Sequence, residues 1–220
     1  MTIPPFMILA SNSPRRKELL GWTEMPFNVQ PADIDESILP GESPRDYVTR
    51  LAAQKAQAAV LQNPGCLVLA ADTTVVDRGE ILGKPVNGKE AMRMLLQLRG
   101  RIHEVHTALA LVDPLTGKTQ SELCSTPVEM RGYTMEELND YVATGDPLDK
   151  AGAYGIQHAG FHPVVNMSGC YACVIGLPLC HLQRGLRRLG YQPPRELPEV
   201  CQRNLQYDCP VSRQILEYKI

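Results

Sequence analysis

Residues 66–71, Cys66-Leu67-Val68-Leu69-Ala70-Ala71, form an uninterrupted apolar run that stops at a carboxylate, Asp72. A strand with no polar position on either face has to be covered on both. The run therefore predicts a central sheet strand with helices packed against its two sides. The other elements follow from that constraint. Residues 6–10 read as a short buried strand. Residues 102–112 and 118–131 read as two long strands around a turn at Pro114-Leu115-Thr116-Gly117, and residues 164–175 as further strand. Between them stand helix-start signals: Ser13-Pro14, Ser43-Pro44 with Asp46 following, Asn87 with Glu90, and Thr134 with Glu137. Their helices are expected to end near Leu20, Gln62, Gly100 and Gly145, and Leu177, Leu182, Leu186 and Leu189 suit a last helix stopping at Gly190. The predicted class is α/β with a mixed, twisted sheet.

The 220 residues, 44% of them hydrophobic, suffice for the core of one sizeable domain, taken as residues 1–190. From Tyr191 the composition shifts. Pro193, Pro194 and Pro198 mark a linker, and residues 191–220 are read as linker and tail, with Val211, Ile215 and Tyr218 spaced for one short docking helix. A net charge of −2 gives no footprint for duplex nucleic acid or an anionic membrane. No apolar run approaches the roughly 20 residues of a membrane span, and the N-terminal apolar stretch lacks the leading positive charge of a signal peptide. The expectation is a cytoplasmic protein with neither nucleic acid nor membrane as partner. Seven cysteines, an odd number, fit a reducing compartment.

Charges at element ends carry the chemistry. Arg15 and Arg16 open a helix behind a small polar turn holding Ser11 and Ser13, a geometry that points backbone N–H groups at an anion. Lys55 follows Tyr47 and Leu51 at intervals of four, so it lies on the apolar face of its helix, either snorkelling outward or aimed into a cleft. Lys84 sits in the turn Gly83-Lys84-Pro85, Glu36 in a polar loop, and Asp72 at a strand end. Ligands of open α/β sheets gather outside the carboxyl ends of strands. Cations from several segments, with two acids able to hold a divalent ion or orient water, suit a metal-bound polyphosphate.

Two other groups attract a metal reading. His103 and His106, three apart on a strand, point to opposite faces and read as packing residues. Cys170-Tyr171-Ala172-Cys173, also placed on a strand, reads as structural, with a four-thiolate zinc site through Cys201 and Cys209 as the rival.

Several segments, in order, resemble the Maf family of nucleotide pyrophosphatases. They are Leu9-Ala10-Ser11-Asn12-Ser13-Pro14-Arg15-Arg16, Arg50-Leu51-Ala52-Ala53-Gln54-Lys55-Ala56, Ala71-Asp72-Thr73, Gly79-Glu80-Ile81-Leu82-Gly83-Lys84-Pro85, Asp149-Lys150-Ala151-Gly152-Ala153-Tyr154-Gly155-Ile156-Gln157, and Gly176-Leu177-Pro178-Leu179. The resemblance implies a bilobed α/β fold with a central cleft, similar to that of inosine triphosphate pyrophosphatases. It implies hydrolysis of a nucleoside triphosphate between the α- and β-phosphates, with Mg2+ or Mn2+, by a homodimer. Carried over by position, Asp72 and Glu36 serve metal and water, and Lys55 and Lys84 complete the catalytic set. Ser11, Arg15, Arg16, Thr73 and Gln157 bind substrate. The combination of Arg15, Thr73 and Gln157 resembles the branch acting on dTTP and UTP. The alternatives are the same chemistry on 7-methyl-GTP or ITP, and a nucleotide-binding regulator of cell division. His158 stands where the resemblance leads one to expect glycine.

Overall fold

The computed structural model describes residues 2–217, so Tyr218 lies outside the described residues. Apolar residues build the short strand β1 (Met7–Leu9), after which Ser13 caps α1 (Pro14–Gly21), its hydroxyl accepting from the amide of Arg16. β2 (Phe27–Val29) follows, and a polar loop leads to α2 (Pro44–Val60), capped by Ser43. The apolar run becomes the first half of β3 (Leu67–Asp77), which turns at Gly79 into β4 (Glu80–Leu82). Asn87 caps α3 (Gly88–Leu98). The long strands β5 (Ile102–Val112) and β6 (Thr119–Met130) form a hairpin, and a full capping box between Thr134 and Glu137 starts α4 (Met135–Ala143). Two short 3-10 turns, Asp146–Asp149 and Ala151–Ala153, precede β7 (Val164–Met167). The chain then forms α5 (Tyr171–Ile175), α6 (Leu179–Arg188), α7 (Leu197–Leu205) and α8 (Ser212–Glu217).

The strands make one seven-stranded mixed sheet, ordered β2-β1-β3-β5-β6-β7, with β4 also paired to β3. Alternation along β3 decides what covers it. Val68 and Ala70 face α2, whose Val48, Ala52, Ala56 and Ala59 are small enough to lie close against Ala108 and Ala110 of β5. Leu67, Leu69 and Ala71 face the other way, onto Leu19 and Leu20 of α1 and Leu179, Leu182 and Leu186 of α6. Farther along, Val75 and Val105 pack with Leu95 and Leu98 of α3 and Leu138 of α4.

β3 is paired with β5 continuously from Val68 to Val76. Its other edge is shared: Leu67 to Leu69 bond to β1, and Val75 to Asp77 bond to β4. Among the described residues no strand lies beside 70–74 on that edge, and Asp72 lies within this gap.

Three sequence expectations are corrected. Asp72 does not end its strand: β3 runs on through Thr73, Thr74, Val75 and Val76 to Asp77, because the ladder to β5 continues past the carboxylate. Residues 164–175 are not one strand: the strand ends at Met167, and Tyr171–Ile175 is helical, closed by Gly176 at φ +115. Six apolar residues are too few for periodicity to separate strand from helix, and the glycine stop decides. Cys170 and Cys173 are therefore not on opposite faces. Both are buried in the same core cluster as Cys124, whose carbonyl lies 3.4 Å from the Cys173 thiol. All seven cysteines are free thiols, and burial pushes that of Cys180 up to about 12. In the tail, Pro198 belongs to the first turn of α7 rather than to a linker, and Leu197, Val200 and Cys201 are buried.

Candidate active site

The gap on β3 opens into a cleft of about 1160 Å³, lined from α1, α2, β3, the turn after β4, and residues 146–160. That size is ample for a nucleotide, since small-ligand pockets run to roughly 1,000 Å³. Every residue singled out from the sequence as a site candidate lines it: Ser11, Arg15, Arg16, Glu36, Lys55, Asp72, Thr73, Lys84 and Gln157.

At its centre the Lys55 ammonium stands 2.6 Å from Asp72 Oδ1 and 2.7 Å from Glu36 Oε1. Lys55 is therefore aimed into the cleft and does not snorkel. Glu36 is brought there by α2, because Tyr47 donates to the Glu36 carbonyl at 3.0 Å and Arg50 donates to the Ser37 carbonyl at 3.0 Å. Burial holds the Asp72 carboxyl above its usual range, against the opposing pull of Lys55 and Arg16. A carboxylate with raised basicity, held by a cation, can accept a proton from water at neutral pH. Burial, with the charges of Asp72 and Glu36, pushes Tyr47 up to about 12.

Asp72 and Thr73 are neighbours on a strand and so face opposite sides. Asp72 meets α2. Thr73 meets Arg16, which donates from Nη2 to the Thr73 hydroxyl at 3.0 Å, from Nη1 to Ser11 Oγ at 3.1 Å, and from Nε to the Gly176 carbonyl at 2.9 Å. Burial lowers the pKa of Arg16 from its ordinary value of 12.5, a range in which it stays charged at neutral pH. Thr73 is therefore engaged with protein rather than offered directly to a base. Arg15 donates to Asp149 at 3.1 Å, and Lys150 links Asp149 to Asp146. Lys84 is exposed at the rim. Gln157 is exposed, and its side-chain amide makes no hydrogen bond among the described residues. His158, the departure noted in the sequence, takes the Phe161 amide on Nδ1 at 3.0 Å and lies edge-on to Tyr141, which fixes its ring to its own loop.

His103 bonds the Tyr154 hydroxyl and His106 bonds Ser125, each through one ring nitrogen at 2.8 Å, as ordinary packing partners. Sequence reasoning missed Tyr47, Asp149, Lys150 and, above all, Thr107, which lies 2.9 Å from Thr73 across the β3–β5 ladder. Thr107 carries no sequence signal, being one polar residue inside a long strand.

Residues 6–189 match the sequence profile of the family described as Maf-like protein. The chain belongs to that family. A relative from Anaeromyxobacter dehalogenans (strain 2CP-C), named dTTP/UTP pyrophosphatase, is 46% identical over 88% of this chain and 99% of its own. Proteins of the same name from Geobacter sp. (strain M21) and Geobacter sulfurreducens are 48% and 45% identical, each over 84% of this chain and 95% and 96% of theirs. A crystal structure of a Vibrio cholerae protein aligns over 86% of this chain and 99% of its own at TM-score 0.41 and 10% identity, an overlap too slight to bear on fold or chemistry. Among the described residues no helix is long and apolar enough to cross a membrane.

Proposed function

We propose that this member of the Maf-like family hydrolyses dTTP and UTP to the monophosphate and pyrophosphate. The observation that carries the reading is the near-complete coverage, at 46% identity, of a relative named for that activity. It is supported by a cleft in which one lysine joins two carboxylates below a rim of cations.

The residues divide the work as follows. Arg16, held at three points, offers its remaining N–H groups to phosphate oxygens without reorganising. Arg15 and Lys84 add positive charge at the rim. Asp72, buried on the cleft floor beside Lys55, takes the proton of the attacking water. The water oxygen bonds to the α-phosphorus, the α–β anhydride breaks, and pyrophosphate leaves with the electron pair. Lys55 keeps Asp72 and Glu36 together before substrate arrives. Asp72 and Glu36 supply hard oxygen donors on one side of the cleft and would hold Mg2+ or Mn2+ there. Such an ion, when bound, neutralises charge on the triphosphate. Gln157, with donors and an acceptor unengaged, reads the carbonyl–imide edge common to uracil and thymine.

The test is a panel of canonical and modified triphosphates with Mg2+ and Mn2+, scored for monophosphate and pyrophosphate. More efficient turnover of purine triphosphates than of dTTP and UTP would overturn the substrate assignment. A cytoplasmic homodimer belongs to the same reading and is checked by light scattering of the purified chain and by fractionation.

A further inference from the structure

We infer that Thr107, a residue sealed beneath the site, sets the aim of Arg16 through Thr73. The argument begins with a carbonyl. α5 is only five residues long, and the amides that follow it, of Gly176 and Leu177, both go to the Ala172 carbonyl. The Cys173 carbonyl is left in a last turn where helical donors have run out. Thr107 supplies the missing donor, with its hydroxyl 2.7 Å from that oxygen. Thr107 is fully buried, so no water competes for the proton.

That commitment fixes the direction of the next bond. The Thr107 and Thr73 oxygens are 2.9 Å apart, and geometry alone allows either to donate. Thr107 has one proton and has spent it on Cys173, so Thr73 must donate to Thr107. The Thr73 proton therefore points down into the sheet, and its lone pairs point up at Arg16 Nη2, 3.0 Å away. The result is a polarised chain from guanidinium to Thr73 to Thr107 to the Cys173 carbonyl, each bond strengthening the next.

The same short helix closes the loop from the other side. Gly176 ends α5 and accepts from Arg16 Nε at 2.9 Å. A Cβ at Gly176 would lie 3.1 Å from the Thr73 hydroxyl and 3.3 Å from Arg16 Nε, so both groups would have to give by a few tenths of an ångström, and the positive φ disfavours any side chain there. Arg16 is thus gripped by two carbonyl-anchored paths from α5, one direct and one through Thr107. Thr107 touches no substrate and is a positioning residue. Its influence on catalysis rests on the pyrophosphatase reading; its hold on Arg16 does not.

The experiment compares the wild type with Thr107→Val, which keeps the branched shape and loses the hydroxyl, and with Thr107→Ser, which restores it. Two quantities are read: the 15N–1H resonance of Arg16 Nε, assigned by its loss in Arg16→Lys, and the steady-state constants for dTTP. The wild-type Nε–H should exchange slowly with solvent. In Thr107→Val exchange should quicken at least tenfold and KM rise about tenfold, with kcat changed less than threefold, because Arg16 holds charge present before and during reaction. Thr107→Ser should return both toward wild type. Should Thr107→Val not fold, Thr107→Cys replaces it, keeping a weak donor for the carbonyl but a poor acceptor for Thr73, and should show the same shifts. An unchanged Arg16 Nε resonance in the folded variant overturns the inference whatever substrate the protein uses. A changed resonance with unchanged KM overturns its catalytic half. Absence of any triphosphate turnover in the wild type overturns the pyrophosphatase reading and leaves the resonance to decide the relay.

Discussion

Lys55 and Asp72 meet at 2.6 Å, with the lysine side chain 11% and the aspartate 10% exposed, so this is a sheltered ion pair at the floor of the cleft. Its acid is the proposed proton acceptor. Asp72→Asn keeps the shape and an oxygen for Lys55 but loses the basicity. We expect kcat to fall by about a hundredfold or more, with the melting temperature within a few degrees of wild type. Near-normal turnover in that variant would remove Asp72 from the reaction.

The two candidate lysines should part company on stability. Lys84 is exposed and makes no ion pair among the described residues, so Lys84→Ala should raise the KM for triphosphate and leave the melting temperature unchanged. Lys55→Ala strips the partner from Asp72 and leaves it facing Glu36, so it should impair turnover and also lower the melting temperature. Thermal melts of both variants without ligand, beside their kinetics, decide this. Equal melting temperatures would contradict it.

Base discrimination should rest on Gln157, whose amide has no partner among the described residues. Gln157→Ala should narrow the ratio of kcat/KM between UTP and the purine triphosphates, by more than it lowers kcat on UTP. A uniform loss across the panel would instead mark Gln157 as a phosphate or loop residue.

Two buried histidines should make the protein acid-sensitive. Burial lowers His103 to about 4, against an opposing pull from Asp77, and lowers His181 to about 3, with Arg184 adding to the effect. The unfolded chain takes up these protons near pH 6.5, while the folded chain resists them. Stability is therefore complete above that pH and falls as pH drops toward 4, by about 3 kcal/mol for His103 alone. Urea midpoints at pH 7 and pH 4.5 should show the loss, and His181→Leu should reduce it by roughly 2 kcal/mol. An undiminished loss in the variant would show that His181 is not the source.

Truncation after Tyr191 should destabilise the protein. It removes α7, whose Leu197, Val200 and Cys201 are buried, and orphans the fully buried Gln183, which accepts from the Leu197 amide at 2.6 Å and donates to Glu196 at 2.7 Å. The melting temperature should fall by about 10 °C or more, since burying each large apolar side chain contributes roughly 2 kcal/mol. A stable truncated chain without turnover would place the tail in the site.

What the sequence revealed was local. Ser13, Ser43, Asn87 and Thr134 each cap the helix expected of them, because a cap bonds an amide three residues away. Seven of the nine site candidates were legible as charges and polar groups in turns, loops, at expected element ends or on a helix face; Thr73 and Gln157 came only through the family resemblance, and Asp72, expected at a strand end, lies inside β3. The rest depended on distance along the chain. Residues 170–175 hold too few positions to separate a helical period from a strand, and Pro198 reads equally as linker or first turn. Thr107 is 66 residues from the carbonyl it serves and 34 from Thr73, and only the ladder between β3 and β5 brings them together.

The shared edge of β3 has a mechanical meaning. β1 hangs from one end of the strand and β4 from the other, while β5 splints the opposite edge along both. Residues 70–74 are splinted by β5 alone, so torsion in that stretch would twist β5 alongside. Asp72 and Thr73 project from opposite sides of that stretch. A few degrees of winding would swing the acid and the arginine clamp in concert, so the two halves of the chemistry are geared to a single shaft.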